Sequence, residues 1–283
     1  MRRTILVAAL TLAAPAVGIA AAGDQHHSQV ARTPGLTATF SYVESGGELP
    51  HRYTDGRVTI VRADGRRFAF SLRPLRPGYD VAPIFAGPDG KAIHIRHLDD
   101  KRGDPEVVVD LYWGGAHCCF YTVVFRYDPA ARTYVRASHL WGDTSPRLRE
   151  LGSDGRLEFV SGDERFAYAF TSFADSAFPI QIWKFAAGRF VDATRSFPAQ
   201  IRASAKRHLA EYRSRRHSDR SVRGILAAYL AERSLLGESR QGWTVVRQAA
   251  ARGELAHTYD GPDSAATYLV RLKAFLARNG YGR

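Results

Sequence analysis

The chain has only two cysteines, and they are neighbours: Cys118 and Cys119, at the end of a Gly114-Gly115-Ala116-His117 approach. Three chemistries are open to this segment. The sulfurs pair into a vicinal disulfide, although Cα atoms about 3.8 Å apart across a trans peptide are closer than the roughly 4.4–6.8 Å of ordinary disulfides. Such a ring closes no long loop, so its effect is to stiffen a turn rather than to constrain the unfolded chain. Alternatively both thiols stay reduced on a strand, pointing to opposite faces, with one buried as a small hydrophobe. In the third case His117 and a thiolate bind a soft metal or act as base and nucleophile. Metal is disfavoured by the divergence of adjacent side chains and by the absence of a Cys-x-x-Cys or a second ligand pair. Gly114, Gly115 and His117 are the candidate binding residues of the turn, and Cys118–Cys119 is its expected disulfide.

A second group of candidates is acidic. Leu98-Asp99-Asp100-Lys101-Arg102-Gly103-Asp104-Pro105-Glu106 and Leu151-Gly152-Ser153-Asp154-Gly155-Arg156-Leu157-Glu158 each lead into an apolar run. Downstream, Val124–Tyr127, a turn and Tyr134–Ser138 match Ile182–Phe185, a turn and Phe190–Thr194, so the chain repeats itself at an offset of 52 to 58 residues. A period in that range, with several strands per copy, suits propeller blades or a repeated sheet unit. The turns resemble the loops of FG-GAP (VCBS-type) β-propeller repeats, Asp-x-Asp-Gly-Asp-Gly-x-x-Glu. That resemblance implies calcium held by Asp99, Asp104 and Glu106 in one copy and by Asp154 and Glu158 in the other. Carboxylates crowded at a turn wrap a hard cation in oxygens. Lys101 and Arg102 interrupt the first loop, and Gly152 and Ser153 stand where the second would carry acids, so solvated turns are the competing account. The Tyr112–Cys119 stretch, with Arg165–Tyr168 and Ser176–Ile180, is also similar to a segment of uncharacterised bacterial secreted proteins, a resemblance that implies export and no particular chemistry.

The elements positioning these residues divide in two. From Leu36 to about residue 196, runs such as Val107-Val108-Val109-Asp110-Leu111 and Tyr121–Phe125 alternate with Asp-Gly and Pro-containing turns, which predicts strands. After Phe197-Pro198 the period lengthens. Ile201, Ala205, Leu209 and Tyr212 predict one helix. Val222, Ile225, Leu226, Tyr229 and Leu230 predict a second, with Ser218 or Ser221 as cap and Gly237 as stop. A third runs through Trp243, Val246 and Ala250, and a last one from Ala265 to Leu276. The expected class is α+β: a repeat-like β part (36–196), propeller-like or a sandwich, then a helical region (197–283).

Two segments precede the β part. Arg2-Arg3, the apolar stretch Ile5–Ala20 and the small residues before Gly23 predict a secretory signal over 1–22, with a polar loose leader over 23–35. That signal places the expected mature protein outside the cytosol, and no later stretch is long and apolar enough to span a bilayer. The formal charge is +12, and 35 of the 40 basic residues are Arg. Residues 197–283 carry 16 basic against 7 acidic residues, whereas 23–196 are nearly balanced at 22 against 21. Arg202, Lys206, Arg207, Arg213, Arg215, Arg216, Arg220 and Arg223 form a stretch on which an anionic cell-surface polymer would dock by charge.

No His-Glu-x-x-His, Gly-x-Ser-x-Gly or phosphate-loop pattern occurs. The expectation is a secreted binding or structural protein of unassigned ligand, with no cofactor unless the acidic turns hold calcium. A secreted hydrolase or thiol-dependent enzyme using His117 and a cysteine is the alternative.

Overall fold

The computed structural model describes residues 23–46, 52–75, 80–83, 90–100, 103–113, 119–218, 220–256 and 264–282. The signal segment and four turn residues named above, Gly114, Gly115, His117 and Cys118, lie outside them. Among the described residues the architecture is α+β, with three open antiparallel sheets followed by four α-helices.

The first sheet is a meander of β1 (Gln25–Thr33), β2 (Leu36–Ser45), β3 (Arg52–Arg62) and β4 (Arg67–Ser71). Its strands alternate: Leu36, Ala38, Phe40 and Tyr42 point into the core while Thr37, Thr39 and Ser41 do not. One face is therefore packed and the other wet. The polar segment expected as a loose leader is instead β1, paired with β2 over all nine of its residues. An edge strand needs backbone partners more than burial, so Gln25-His26-His27-Ser28-Gln29 carries no apolar alternation to announce it.

The second sheet holds β5 (Ala82–Pro83), β6 (Ile93–Arg96), β7 (Glu106–Tyr112), β8 (Phe120–Asp128) and β9 (Thr133–Gly142). Its central strands are apolar on both faces because both are covered. Val107, Val109, Leu111, Val123 and Phe125 share a core with the first sheet, whereas Val108 and Val124 pack with Trp141, Phe159 and Phe185 toward the third. That sheet comprises β10 (Arg147–Arg149), β11 (Glu158–Gly162), β12 (Ile180–Ala186) and β13 (Arg189–Asp192).

The far face of the third sheet is covered by helices. Ile180 and Ile182 pack against Ile201, Phe197 and Leu235. The helices are α1 (Pro198–Arg215), α2 (Arg223–Leu235), α3 (Ser239–Ala251) and α4 (Ala265–Arg278). Neither expected serine caps α2, which starts after Val222 without a side-chain cap, although Ser221 Oγ accepts from Arg223 N at 3.4 Å. Ten consecutive residues of α2, Arg223 to Glu232, are buried. The segment between β11 and β12 (residues 163–179) joins this core through Phe166, Phe170 and Ala177. Gly224 permits the approach, since a Cβ there would stand 2.6 Å from the Asp175 carbonyl oxygen.

Two buried polar contacts fix the helical region to the third sheet. Glu232 of α2, fully buried, accepts from Ile180 N at 3.0 Å, and its other oxygen meets His208 Nδ1 at 2.8 Å. Tyr281 OH donates to Asp163 at 2.7 Å, and Arg165 Nε holds the second oxygen of that carboxylate at 2.7 Å.

Candidate functional site

The turn carrying the cysteines joins β7 to β8. Tyr112 and Phe120 are the last paired residues, and Trp113 N donates to Cys119 O at 3.3 Å just beyond them. Trp113 and Cys119 are both buried and belong to the core shared with the first sheet. Cys119 is not a free thiol. Beside it Asp80, also buried, accepts from Arg52 Nε at 2.9 Å and from Tyr53 N at 3.2 Å, while its own N–H donates to Trp113 O. The hydroxyl of Tyr121 is buried without a hydrogen-bond partner among the described residues. Burial, reinforced by the Asp80 charge, pushes its pKa up, so it stays a neutral phenol. The anchors of the turn are therefore rigid: two buried side chains and a closed hydrogen-bond ladder end where the Gly-Gly-Ala-His-Cys segment begins.

The opposite face of the same sheet carries a polar row that the sequence patterns did not single out. Asp110, Thr122 and His139 lie side by side on β7, β8 and β9. Trp141 Nε1 donates to Thr122 Oγ1 at 2.8 Å, and the Thr122 hydroxyl donates in turn to Asp110 Oδ1 at 2.5 Å. Burial raises Asp110 to about 6, and the Thr122 hydrogen bond only partly offsets it. His139 sits 4.1 Å from the ring centres of both Trp141 and Trp183, and burial lowers it to about 4 against a small opposing pull from Asp192. At neutral pH the imidazole is uncharged. Thr122 is 0% exposed, so the row orders a buried hydroxyl rather than presenting one to a substrate. The only sequence signal was Asp110 itself, an acid inside a Val-Val-Val-Asp-Leu strand.

The acidic turns are built alike, and their carboxylates have partners. Glu106 and Glu158 open β7 and β11 and are 2% and 1% exposed. Glu106 accepts from Leu98 N at 2.8 Å and Asp99 N at 3.4 Å; Glu158 accepts from Leu151 N at 2.9 Å. Each glutamate thus pins the turn that precedes its strand. Desolvation raises Glu106, and the backbone donors of Leu98, Asp99 and Glu106 itself oppose that shift. Asp99 pairs with Arg126 at 2.7 Å and accepts from Ala187 N at 3.1 Å, which ties the second sheet to the third. Asp104 pairs with Arg62 at 3.0 Å, reaching the first sheet. Asp154 is held at about 2 by Arg156, whose side chain and backbone N–H both donate to it. Among the described residues no three His, Cys, Asp or Glu side chains come close enough to hold a metal ion.

The basic stretch of the helical region is partly consumed by the fold. Arg202 pairs with Glu238, Arg215 with Glu211, and Arg220 with Asp175. Arg223 is buried and donates from both Nε and Nη2 to Leu255 O, at 3.0 and 2.7 Å. Lys206, Arg207 and Arg213 remain exposed without an ion pair among the described residues. No helix there is long and apolar enough to cross a membrane.

Fold and site together define an α+β protein in which three antiparallel sheets stack in series and a helical region closes the last. Within it, residues 201–280, most of the four-helix region, match the family described as the sll0997 C-terminal domain. Over 203 residues the chain is 31% identical to the probable thylakoid lumen protein sll0997 of a Synechocystis species, covering 67% of this chain and 60% of that protein. It is also 30% identical over 199 residues to the uncharacterized protein y4bJ of Sinorhizobium fredii, covering 65% of this chain and 31% of the other. The matches thus span less than two thirds of either relative's length.

Proposed function

We propose that this is an extracytoplasmic binding protein that presents the β7–β8 turn, stiffened by a Cys118–Cys119 disulfide, to its partner. The observation that carries the proposal is the state of Cys119: buried, not a free thiol, in a chain whose one other cysteine is its neighbour. A strained vicinal ring adds little stability, so its use lies in holding the turn's backbone in one shape for recognition. Working outside the cytosol agrees with the predicted signal over 1–22 and with the printed name of the Synechocystis relative, a probable lumen protein. Disulfides persist in such compartments.

The test is thiol titration of the purified, exported protein under denaturing conditions, before and after reduction. The expected result is no reactive thiol before reduction and two after it. Two thiols before reduction would overturn the proposal, and one fast-reacting thiol in the native protein would favour a thiol-dependent enzyme instead.

A further inference from the structure

A cavity of about 250 Å³ lies where the third sheet meets the ends of α2 and α4. Residues 192–196, at and just past the end of β13, form one wall, and Leu235, Asn279 and Gly280 of the helical region form another. Two opposite charges stand in it without meeting. Asp192, exposed, accepts on Oδ1 from Thr194 N at 2.9 Å and from Thr194 Oγ1 at 2.6 Å, so its Oδ2 is uncommitted. Arg195, also exposed, donates from Nη1 to Leu235 O at 3.3 Å and from Nη2 to Gly280 O at 3.0 Å. It forms no ion pair among the described residues, and most of its guanidinium donors are uncommitted. Arg165, on the same cavity, differs: its Nε and Nη2 hold Asp163 at 2.7 and 2.5 Å, and its Nη1 donates to Asn279 Oδ1 at 3.2 Å. Its charge is matched where it stands. The other two charges are each fixed by the fold rather than by a counterpart. The carboxylate caps the turn at Thr194, and the guanidinium ties two helix ends together, so neither can swing to the other without breaking those contacts. Opposite charges held apart across a small cleft attract a ligand that carries the complementary pair. Ala193 and Leu235, both only partly buried, offer it reachable apolar surface.

We propose that this cleft binds a small free amino acid, its carboxylate on Arg195, its ammonium on Asp192 Oδ2 and its side chain against Ala193 and Leu235. The cavity lies below the roughly 300–1,000 Å³ of drug-sized pockets, so the ligand is a small one. Forked guanidinium donors match a carboxylate, and an ammonium group matches a single carboxylate oxygen. One wall comes from the β part and the other from the helical region, so the site exists only in the joined chain. It shares no residue with the cysteine turn and stands or falls independently of it.

The experiment is calorimetric titration of the full chain at pH 7 with glycine, L-serine and L-valine, which carry both charges. Propionate and ethylamine, which carry one charge each, are titrated separately, with ionic strength held constant by NaCl. Saturable one-site binding of at least one amino acid, about tenfold or more tighter than propionate or ethylamine, supports the site. Arg195→Gln and Asp192→Asn are each expected to weaken that binding about tenfold or more, whereas Arg213→Gln on the helical surface leaves it unchanged. Asp192→Asn keeps an acceptor for Thr194, so its melting midpoint is expected near that of the parent. That variant therefore tests the site even where Arg195→Gln loosens the helix ends. No saturation by any of the three amino acids overturns the proposal. So does propionate or ethylamine binding as tightly as they do, undiminished binding in Asp192→Asn, or equal weakening in Arg213→Gln.

Discussion

The unit β7–β8–β9 and the unit β11–β12–β13 are built on one plan and differ most in the connection between their first two strands. Both open with a buried glutamate that pins the preceding turn, and both close on a hairpin with aromatic residues opposite each other, Tyr127 with Tyr134 and Phe185 with Phe190. In the first unit the strand pair β7–β8 is joined by the cysteine turn; in the second, β11 and β12 are joined by residues 163–179, which dock the helices. The outward faces also correspond. Val108 and Val124 of the first unit meet the third sheet, whereas Ile180 and Ile182 of the second meet α1 and α2. The helical region therefore takes the place another sheet would occupy. The lesson is that the frame is repeated while the connection between its first two strands is free to carry a separate task.

The strongest way to break this comparison is at the helical cover. Glu232→Ala leaves both Ile180 N and His208 without their buried partner. A loss of about 3–5 kcal/mol is expected, as for removal of one member of a buried polar pair. Denaturant unfolding followed by tryptophan fluorescence measures it, and a loss under 1 kcal/mol would mean that apolar packing alone holds the helices on the third sheet.

The paired glutamates offer a finer cut. Glu106→Ala strands the Leu98 and Asp99 N–H groups and Glu158→Ala the half-buried Leu151 N–H, with expected costs of about 2–3 and about 1–2 kcal/mol. The glutamine variants separate the two. Because desolvation raises Glu106, its neutral isostere costs little, whereas Glu158 lies 3.8 Å from Lys184 and loses that attraction in Glu158→Gln. Equal losses for both glutamines, read from the same unfolding curves, would contradict the difference in environment.

Much of this frame was legible because the 52-residue spacing of Glu106 and Glu158 and the recurring hairpin pattern are written in the chain. The helices declared themselves through their 3.6-residue period. Three features did not. Strand β1 is polar because pairing with β2, not burial, defines it. Segment 163–179 has no periodicity because its Phe166 and Phe170 are placed by three-dimensional docking. The row Asp110–Thr122–His139 is assembled across strands, so its members sit 12 and 17 positions apart with nothing local to link them. The glutamates were visible as acids, but their backbone donors were not, which is why they read as cation ligands.

That row exists only in the first unit, since Gly162 and Ile180 occupy the corresponding places in the second, and it sets a pH dependence of mixed sign. His139 is held neutral in the fold at about 4, below its ordinary 6.5, so its stabilisation is complete above 6.5 and is lost as pH falls toward 4. Asp110 works in the opposite sense: raised to about 6 from 3.8, it penalises the fold when ionised above pH 6 and ceases to do so as pH falls toward 3.8. Asp110→Asn keeps an acceptor for Thr122 and removes the penalty. The variant is expected to gain about 1–2 kcal/mol at pH 7.5 and to lose that advantage by pH 4. An advantage independent of pH in urea melts would locate the gain in packing instead.

The smallest expected effect concerns the acidic turns, where the two units were most alike as sequence. A bound calcium ion would stabilise the fold in proportion to the logarithm of its concentration over its dissociation constant, so removing it would lower the melting midpoint. Asp99 and Asp104 instead meet Arg126 and Arg62, and Asp154 meets Arg156. A carboxylate already facing a guanidinium offers a cation little net attraction. The midpoint is therefore expected to stay unchanged when EDTA replaces calcium in the buffer, while Asp99→Asn and Asp104→Asn each cost about 0.5–1 kcal/mol by loosening the ties between sheets. If chelation lowered the midpoint and the loss vanished in Asp99→Asn, the first turn would be a cation site whose arginine contacts give way on binding.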